Sequence, residues 1–341
     1  VFEAKKGEKY TFEVMARRAG SALDPHLRIL DASGKQLSLN DDFRRLKRLT
    51  QDSQVENFSV PADGKYVIEV RDVHLRGGPR HVYAIRTTRA TPYFELFLDS
   101  DKTQLSPGIH GAIFVRVERH NGFSGAIDLD VAHLPKGVTA RCGRILPTGT
   151  DGCIILAAAA DAKPDISNIT VSGTEIQTAK APTGPPLSNV ARPMQETYMP
   201  GGGRNHWPVD THAVNVGALS DIRSIQLSTQ AVTLKPGAST TITVNFKRAP
   251  GFTKNVTLDV LFQHLGTVYG NSLPKGVTID AAASKTLITG KASQGQIVLK
   301  AAKDAPPVKN QQIAVMANIS INFVMKATYS SSPLMVTVTK P

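Results

Sequence analysis

The sequence predicts an all-β protein with three β-sandwich domains in tandem, of which the second and third are an internal repeat. Apolar and polar residues alternate in short segments along the 341-residue chain, for example at 10–14, 66–70 and 113–117. Gly, Pro, Asn and Asp cluster between these segments, where chain reversals need their backbone conformations. We find no long stretch with amphipathic helical periodicity. Short alternating strands without helices are typical of sandwiches.

The internal repeat rests on five sequence blocks that recur in the same order. Leu-Ser-Pro-Gly at 105–108 recurs as Leu-Lys-Pro-Gly at 234–237, and the Gly-Phe pair at 122 and the apolar strand at 127–131 also recur 129 positions later. Leu-Pro-Lys-Gly-Val-Thr at 134–139 recurs 139 positions later, and residues 154–162 recur 143 positions later. The second copy therefore carries ten additional residues within 261–272. Two copies of one sandwich explain this order.

These patterns divide the chain into four segments. We predict sandwiches at 1–92, 93–180 and 223–341, with a Pro/Gly-rich connector at 181–222. The connector contains the one tryptophan of the chain, Trp207. Because a large ring is rarely left in a plain linker, we expect it to dock at a domain junction.

The composition excludes some classes of protein and favours others. With 41% hydrophobic residues the chain is not mainly disordered, and its longest apolar run, eight residues at 153–160, is too short for a membrane helix of about 20 residues. The formal net charge of +12 favours anionic partners, and for an exported protein we expect an acidic envelope polymer and no nucleic acid. The start at Val1 is typical of a trimmed end, so we expect a larger precursor.

Residues 1–90 have a characteristic order of elements. A strand with Gly-Glu-Lys-Tyr at 7–10 precedes Leu-Asp-Ala-Ser-Gly at 30–34, then Asn-Asp-Asp at 40–42 and Pro-Ala-Asp-Gly-Lys-Tyr at 61–66. This order resembles the bacterial pre-peptidase C-terminal domain, a small β-sandwich found beside secreted proteases and collagenases. The basic stretch at 44–48 departs from that pattern. The two later domains resemble bacterial immunoglobulin-like modules, and both resemblances imply a non-catalytic accessory role.

A set of acidic and amide side chains in the first domain offers oxygen ligands of the kind that Ca²⁺ prefers. A site assembled from loops at one end of the sandwich is one interpretation. The alternative is that these residues cap turns and pair with nearby arginines. The set is Asp24, Asp31, Asn40, Asp41, Asp42 and Asp52.

Two further groups are candidates for ligand binding. Arg44, Arg45 and Arg48, with His81 and the arginines at 76, 80, 86 and 89, can form a cationic face for a sulfated or carboxylated polysaccharide, or a solvated surface. In the connector, His206 and Trp207 lie near Asp210 and His212, a group suited to carbohydrate stacking or, through the two histidines, to a metal. Packing of the tryptophan at a domain junction is the alternative.

The two cysteines, Cys142 and Cys153, lie eleven positions apart and flank a turn-like segment at 146–152. We expect either a disulfide that staples a hairpin in an oxidising compartment or two unpaired thiols.

We find none of the sequence motifs His-Glu-x-x-His, Gly-x-Ser-x-Gly or the phosphate-binding glycine loops. The expected function is therefore a non-catalytic accessory, binding and spacer region of an exported bacterial protein in the periplasm, on the cell surface or outside the cell. Its partner is expected to be an anionic polysaccharide or envelope material, and Ca²⁺ is the one cofactor considered. Two alternatives stay open: a component of a cell-surface array that associates laterally, and the C-terminal tail of a secreted peptidase or other hydrolase.

Overall fold

The all-β prediction is confirmed by a computed structural model of the chain. The structure describes residues 1–45, 48–147, 149–177, 184–199, 203–264, 267–321 and 326–340. Within these residues it contains 33 strands and a single 3₁₀ turn at Arg17–Ala19. The chain forms two compact units, one of residues 1–94 with 118–123 and one of residues 95–117 with 124–341.

The first unit contains two facing sheets with an aromatic core. Phe2, Tyr10, Phe12, Phe58 and Tyr66 contact one another, with ring centroids 5.3 to 6.3 Å apart. One sheet has the order β1-β8-β3-β4, another has the order β7-β2-β9, and β5 pairs with β6. The strands are β1 (Phe2–Ala4), β2 (Lys9–Met15), β3 (Pro25–Asp31), β4 (Gln36–Asn40), β5 (Phe43–Arg45), β6 (Arg48–Thr50), β7 (Gln54–Ser59), β8 (Gly64–Asp72) and β9 (Ala84–Arg89).

The first copy of the repeat begins with β10. Its longest apolar strand, β16, pairs with β12 and β14, and both faces of β16 are buried. The strands are β10 (Tyr93–Leu98), β11 (Lys102–Leu105), β12 (His110–His120), β13 (Ala126–Ala132), β14 (Val138–Cys142), β15 (Arg144–Ile145), β16 (Asp151–Ala158), β17 (Asp165–Ile176), β18 (Ser188–Met199), β19 (Gly203–Pro208) and β20 (His212–Val216).

The second copy follows directly. Its sheet β21-β23-β29-β27 packs over a core that includes Ile242, Val244, Ile297 and Val336. The strands are β21 (Ile222–Leu227), β22 (Ala231–Leu234), β23 (Ser239–Arg248), β24 (Val256–Asp259), β25 (Leu261–His264), β26 (Thr267–Asn271), β27 (Val277–Ile279), β28 (Leu287–Ile288), β29 (Gln294–Ala301), β30 (Val308–Ile313), β31 (Met316–Ser320), β32 (Lys326–Ser330) and β33 (Leu334–Val338).

The two copies agree down to individual contacts, which confirms the internal repeat. Ile113 pairs with Ile154 in the first copy, and the equivalent Ile242 pairs with Ile297 in the second. A Cβ added to Gly152 would lie 3.0 Å from side-chain atoms of Leu129 and Ile145. Added to Gly295, it would meet the equivalent leucine and isoleucine at 2.7 and 2.5 Å. The same small residue is thus required in both cores, because the facing strands approach too closely for a side chain.

Much of the stretch predicted as a connector is β-structure. The strand β20 pairs in parallel with β11 and antiparallel with β17, as β33 pairs with β22 and β30 in the second copy. The prolines did not prevent this, since Pro208 ends β19 and lies where a missing backbone N–H is tolerated. The residues up to Val216 therefore complete the first copy. The exact domain boundaries stay predictions.

The ten additional residues of the second copy form a hairpin that packs on the first copy. In this hairpin, β25 pairs with β26, and Phe262 stacks on Phe114 of β12 with ring centroids 5.7 Å apart. Arg116 donates a hydrogen bond to the backbone carbonyl of Tyr269. Around these contacts lies a small buried cluster that includes Cys153, Ile155, Ala314 and Met316. The insertion that shifts the repeat offset is thus part of the junction between the copies.

Two buried glutamine amides add hydrogen bonds to this junction. Gln312 donates from Nε2 to the carbonyls of Arg141 and Cys153, at 2.9 and 3.1 Å. Gln311 donates to the carbonyls of Arg144 and Ser272, at 3.1 and 3.3 Å. Because a buried amide is costly unless it is hydrogen-bonded, these contacts favour one register between the two copies.

Candidate functional site

The outward face of the second copy carries a groove of about 770 Å³. It crosses β21 and β23, where Ser224 pairs with Lys247 and Gln226 pairs with Asn245 in register. Side chains at these positions point away from the core because neighbouring residues of each strand alternate between faces. The lining combines cations, amides and an aromatic ring, principally Gln226, Asn245, Lys247, Arg248, Phe252 and Lys291, and none of its residues is Asp or Glu.

Arg248 is held in place at one end of the groove. Its guanidinium lies over the rings of Phe246 and Phe252, 5.0 and 5.5 Å from their centroids. It donates from Nε to the carbonyl of Ala292 at 2.8 Å and from Nη1 to that of Lys254 at 2.7 Å. Burial lowers the pKa of Arg248. Among the described residues no carboxylate pairs with this guanidinium, and its Nη2 lacks a hydrogen-bond partner there.

The two repeat copies differ in charge at the positions that line this groove. The arginine is common to both, because Arg119 lies over Phe123 at 5.2 Å as Arg248 lies over Phe252. In sequence, Lys247 replaces Glu118 and Lys291 replaces Thr148 at the two repeat offsets. The Gly-Phe recurrence at 122 and 251 is the sequence signal that leads to this loop. The cationic groove itself was not among our predicted sites.

The predicted calcium ligands are divided between the two ends of β3. Asp31 ends the strand, and its Oδ1 accepts hydrogen bonds from the backbone N–H groups of Ser33 and Lys35, at 2.9 and 3.0 Å. These contacts lower the pKa of Asp31, with the Ser33 hydroxyl as the largest cause. Asp24 precedes the other end of the strand, about 20 Å away along seven residues of extended chain. Asp31 therefore does not join the other members of the set.

Four of those other members lie at one end of the sandwich. Asn40 accepts from the backbone N–H of Gln54 at 2.8 Å and donates to the carbonyl of Asp42 at 2.7 Å. Asp41 accepts from the Asp42 N–H at 3.0 Å. Asp24 donates its backbone N–H to the buried carboxylate of Asp72. Turn hydrogen bonds thus engage most of this group.

Asp52 belongs to the same end and is almost fully buried. Its Oδ1 accepts from the backbone N–H groups of Ala16 and Arg17, at 3.0 and 2.7 Å. Its Oδ2 lies 3.2 Å from Nε of Arg18. The carboxylate therefore fixes the 3₁₀ turn against the segment that follows β6 through the two hydrogen bonds to Oδ1, whereas Oδ2 has the ion pair with Arg18 but no hydrogen-bond partner among the described residues.

The basic hairpin is described only in its backbone. β5 pairs with β6, which places Arg44 opposite Leu49 and Arg45 opposite Arg48. The side chains of Arg44, Arg45 and Arg48 lie outside the described part of the structure.

Three of the other arginines proposed for this cationic face, those at 76, 86 and 89, pair with acidic groups. Arg76 binds Asp72 at 3.0 Å, and this pairing holds the pKa of Asp72 well below its usual range. Arg86 pairs with Glu13. Hydrogen bonds from the backbone of Lys5 and from Arg89 lower the pKa of Glu8 to about 2.

The ring of His206 lies in the junction between the copies. It is on β19, opposite Glu196, and its centroid is 4.9 Å from that of Tyr269 in the β25–β26 hairpin. Trp207 follows on the other face of β19 and keeps 51% of its surface exposed. The docking at a junction was expected for Trp207, but half of the surface of that ring is exposed, and the ring observed at the junction is that of His206.

His212 is separate from this pair and serves the fold. It is fully buried, with Nδ1 2.9 Å from the carbonyl of Ser100 and Nε2 2.9 Å from the hydroxyl of Thr103. A neutral ring that donates from Nδ1 and accepts at Nε2 satisfies both contacts. Burial lowers the pKa of His212. It connects β20 to β11.

Of the two arrangements expected for the cysteines, the structure has the unpaired one, because Cys142 and Cys153 are both free thiols. The strands β14 and β16 pair as expected for a hairpin, but Cys142 lies opposite Ile154. Successive residues of a strand point to opposite faces, so Cys153 projects from the other side of the sheet. Burial raises the pKa of each thiol to about 11.

Comparison with known proteins gives one partial match in sequence. No protein-family model matches the chain. A protein of Deinococcus radiodurans described as a probable subtilase-type serine protease is 41% identical over 75 residues, which are 22% of this chain and 10% of the relative. The chain thus spans about a tenth of the length of the curated relative that it matches.

Solved structures give distant likenesses only. The D0-D1 domain of intimin covers 72% of this chain and 99% of its own, at 13% identity and a TM-score of 0.23. Domains 4–9 of the surface layer protein SbsC cover 91% of this chain and 44% of their own, at 13% identity and a TM-score of 0.27. Scores this low support no argument about this chain. Among the described residues, no helix is long and apolar enough to span a membrane.

Proposed function

We propose that the chain is a non-catalytic accessory region of an exported bacterial protein that also carries a subtilase-type protease. The observation that supports this is the 41% identity over 75 residues to a relative ten times longer than the matched portion. A region that recurs as a small part of a longer protease has the distribution of an accessory module. The pre-peptidase C-terminal resemblance of residues 1–90 is consistent with the same role.

The buried ionisable groups support a structural role for the chain. Asp52 holds the 3₁₀ turn, Asp72 holds Arg76 and the backbone of Asp24, and His212 connects two strands. Each of these groups is engaged in contacts that stabilise the fold. The hydrogen-bonded junction between the two repeat copies suits a spacer, since it restricts movement of one copy against the other.

The proposed partner is an anionic polysaccharide or another acidic polymer of the cell envelope. The formal charge of +12 favours such a partner electrostatically. The candidates for contact are the basic hairpin with Arg44, Arg45 and Arg48, the His206–Trp207 pair, and the groove of the second copy. The protein is proposed to act outside the cytoplasm, where these polymers are found.

The test combines a binding measurement with an activity measurement on the same chain. Purified protein is sedimented with isolated bacterial cell walls and assayed in parallel against casein and against a panel of polysaccharides. We expect co-sedimentation that weakens as the salt concentration rises, and no turnover. Hydrolysis of any of these substrates by the chain alone contradicts the accessory role, and co-sedimentation unaffected by salt contradicts the electrostatic partner.

Calcium binding is a separate proposal for the end of the first sandwich where Asn40, Asp41 and Asp42 lie. A bound ion stabilises the native state by mass action, so 1 mM Ca²⁺, on the order of 100 times Kd for a Kd of about 10 μM, should add about 2.7 kcal/mol. The measurement is thermal unfolding with Ca²⁺ and with chelator, for the native protein and for Asp41→Asn. If the unfolding midpoint of the native protein is the same with Ca²⁺ as with chelator, the calcium site is contradicted.

A further inference from the structure

We infer that the groove of the second copy is a binding site for a carboxylated polysaccharide. Its defining residues are Lys247, Arg248 and Lys291, and it is called the cationic groove below. The inference deepens the proposed function, because it takes the envelope partner as its premise and names its site and chemistry.

The charge of the groove selects an anion. Two exposed lysines and a fixed arginine line it, and no acidic side chain lines it with them. Several arginines elsewhere in the molecule do pair with a carboxylate, as Arg28 does with Glu69 at 2.5 Å and Arg116 does with Asp151 at 3.2 Å. An unneutralised guanidinium already held by two carbonyls and two rings is preorganised, so little conformational entropy is lost when it binds an anion.

The rest of the lining suits a sugar. Asn245 accepts from Gln294 at 2.9 Å through its Oδ1, which leaves its amide NH₂ directed away from that contact. The amides of Asn245 and Gln226 and the hydroxyls of Ser224, Thr253 and Ser293 can bond to the hydroxyl groups of a saccharide. The half-buried Phe252 offers an apolar edge for the C–H groups of a sugar ring.

The shape of the groove suits a polymer. Asn245, Lys247, Thr253 and Lys291 are all exposed, so the groove is open to solvent along its length. An open groove takes an internal segment of a chain and needs no chain end, whereas a small metabolite is usually enclosed. Its carboxylates would then face the lysines while its ring hydroxyls face the amides.

Comparison of the two repeat copies indicates that the positive charge of the cationic groove is specific to the second copy. Both copies keep the arginine over the phenylalanine, which is part of the fold of the loop. Lysines at 247 and 291 occur in the second copy, where the first copy has a glutamate and a threonine. Since both copies fold with the shared residues, the two lysines are additional to what the fold requires.

The experiment is isothermal titration calorimetry with a galacturonate hexamer at low salt. The test variant is Lys247→Ala/Lys291→Ala, and the matched control is Lys235→Ala/Lys303→Ala, which removes the same charge from exposed positions of the same copy. We expect binding to the native protein, about tenfold weaker binding by the test variant, and a change within about twofold for the control. Equal unfolding midpoints for the three proteins show that all are folded.

Four results would overturn the inference. If the galacturonate hexamer at millimolar concentration gives no heat of binding, carboxylated polysaccharides are excluded as the ligand. Equal weakening of the test and control variants shows that only net charge acts. Equal affinity for polyglutamate of the same charge shows that no sugar is recognised. If the test variant still co-sediments with cell walls as the native protein does, the groove is excluded while the accessory role stands; substrate turnover would instead remove the accessory role.

Discussion

Phe114 of the first repeat copy and Phe262 of the second stack face to face across the junction, with ring centroids 5.7 Å apart and planes inclined by 11°. Phe262 lies within the ten residues that the first copy lacks. The insertion thus provides the aromatic partner for a ring that the first copy turns away from its own core.

Phe114→Ala and Phe262→Ala should not have additive effects. Phe114 is 3% exposed, so its truncation should cost about 3–5 kcal/mol, and the partly buried Phe262 should cost less. Once one ring is absent, truncation of the other removes fewer contacts. The double mutant should therefore show a coupling free energy of about 0.5–1.5 kcal/mol. Urea unfolding of the four proteins measures this coupling. Strict additivity would mean that the stacking contributes nothing to stability.

Gly270→Ala should destabilise the same junction. A Cβ at this position would lie 2.4 Å from Cγ of Phe114, so either the ring or the hairpin must move. We expect a loss of about 1–3 kcal/mol in urea unfolding. Gly184→Ala is the matched control, because no atom lies within 4 Å of its added Cβ, and its stability should change by less than about 0.5 kcal/mol. Equal effects of both substitutions would contradict the close approach of Gly270 to Phe114.

The burial of β16 on both faces is a part of this junction that can be predicted from the sequence. Residues 153–160 are the longest apolar run of the chain, and such a run is typical of a strand buried on both faces. In the structure Ile154 faces the core of the first copy while Cys153 and Ile155 face the junction. The equivalent β29 has the half-buried Gln296 and the exposed Lys300 on its outward face, with the buried Val298 between them. The longer apolar run of the first copy therefore indicates that β16 is covered on both faces. The pattern of apolar residues does not identify the segment that covers its second face.

The predictions that the structure corrects depend on register. A spacing of eleven positions was compatible with a disulfide, but a shift of one residue places Cys142 opposite Ile154, and this shift cannot be read from spacing. The cationic groove likewise arises from pairs such as Ser224 with Lys247, which lie 23 positions apart and become neighbours only when β21 and β23 are paired. The predicted calcium site likewise places Asp31 with Asp24 at one end of the sandwich, whereas the extended strand β3 separates them.

Alkaline conditions should destabilise the chain through its thiols. Burial raises the pKa of Cys153 from 9.0 to about 11, so the folded protein keeps a proton that the unfolded chain releases above pH 9. The native state then binds more protons, and stability falls between pH 9 and 11 by up to about 1.4 kcal/mol per pH unit for each such thiol. Urea unfolding of the native protein and of Cys153→Ala at pH 8, 9 and 10 should give a steeper fall for the native protein. Parallel curves would contradict the burial of this thiol.

Mild acid should destabilise the chain through His212. Burial depresses the pKa of this histidine below 6.5, so the folded protein holds it neutral while the unfolded chain takes up a proton as the pH falls. Its contribution to stability is therefore complete above about pH 6.5 and is lost below it. His212→Gln should be less stable at pH 7.5, since the contacts with Ser100 and Thr103 are disturbed, but its unfolding midpoint should fall less between pH 7.5 and 5. The exposed His133, replaced by Gln, is the control and should keep the native pH profile. If His212→Gln loses stability in acid as steeply as the native protein, the neutral buried histidine is not the group responsible.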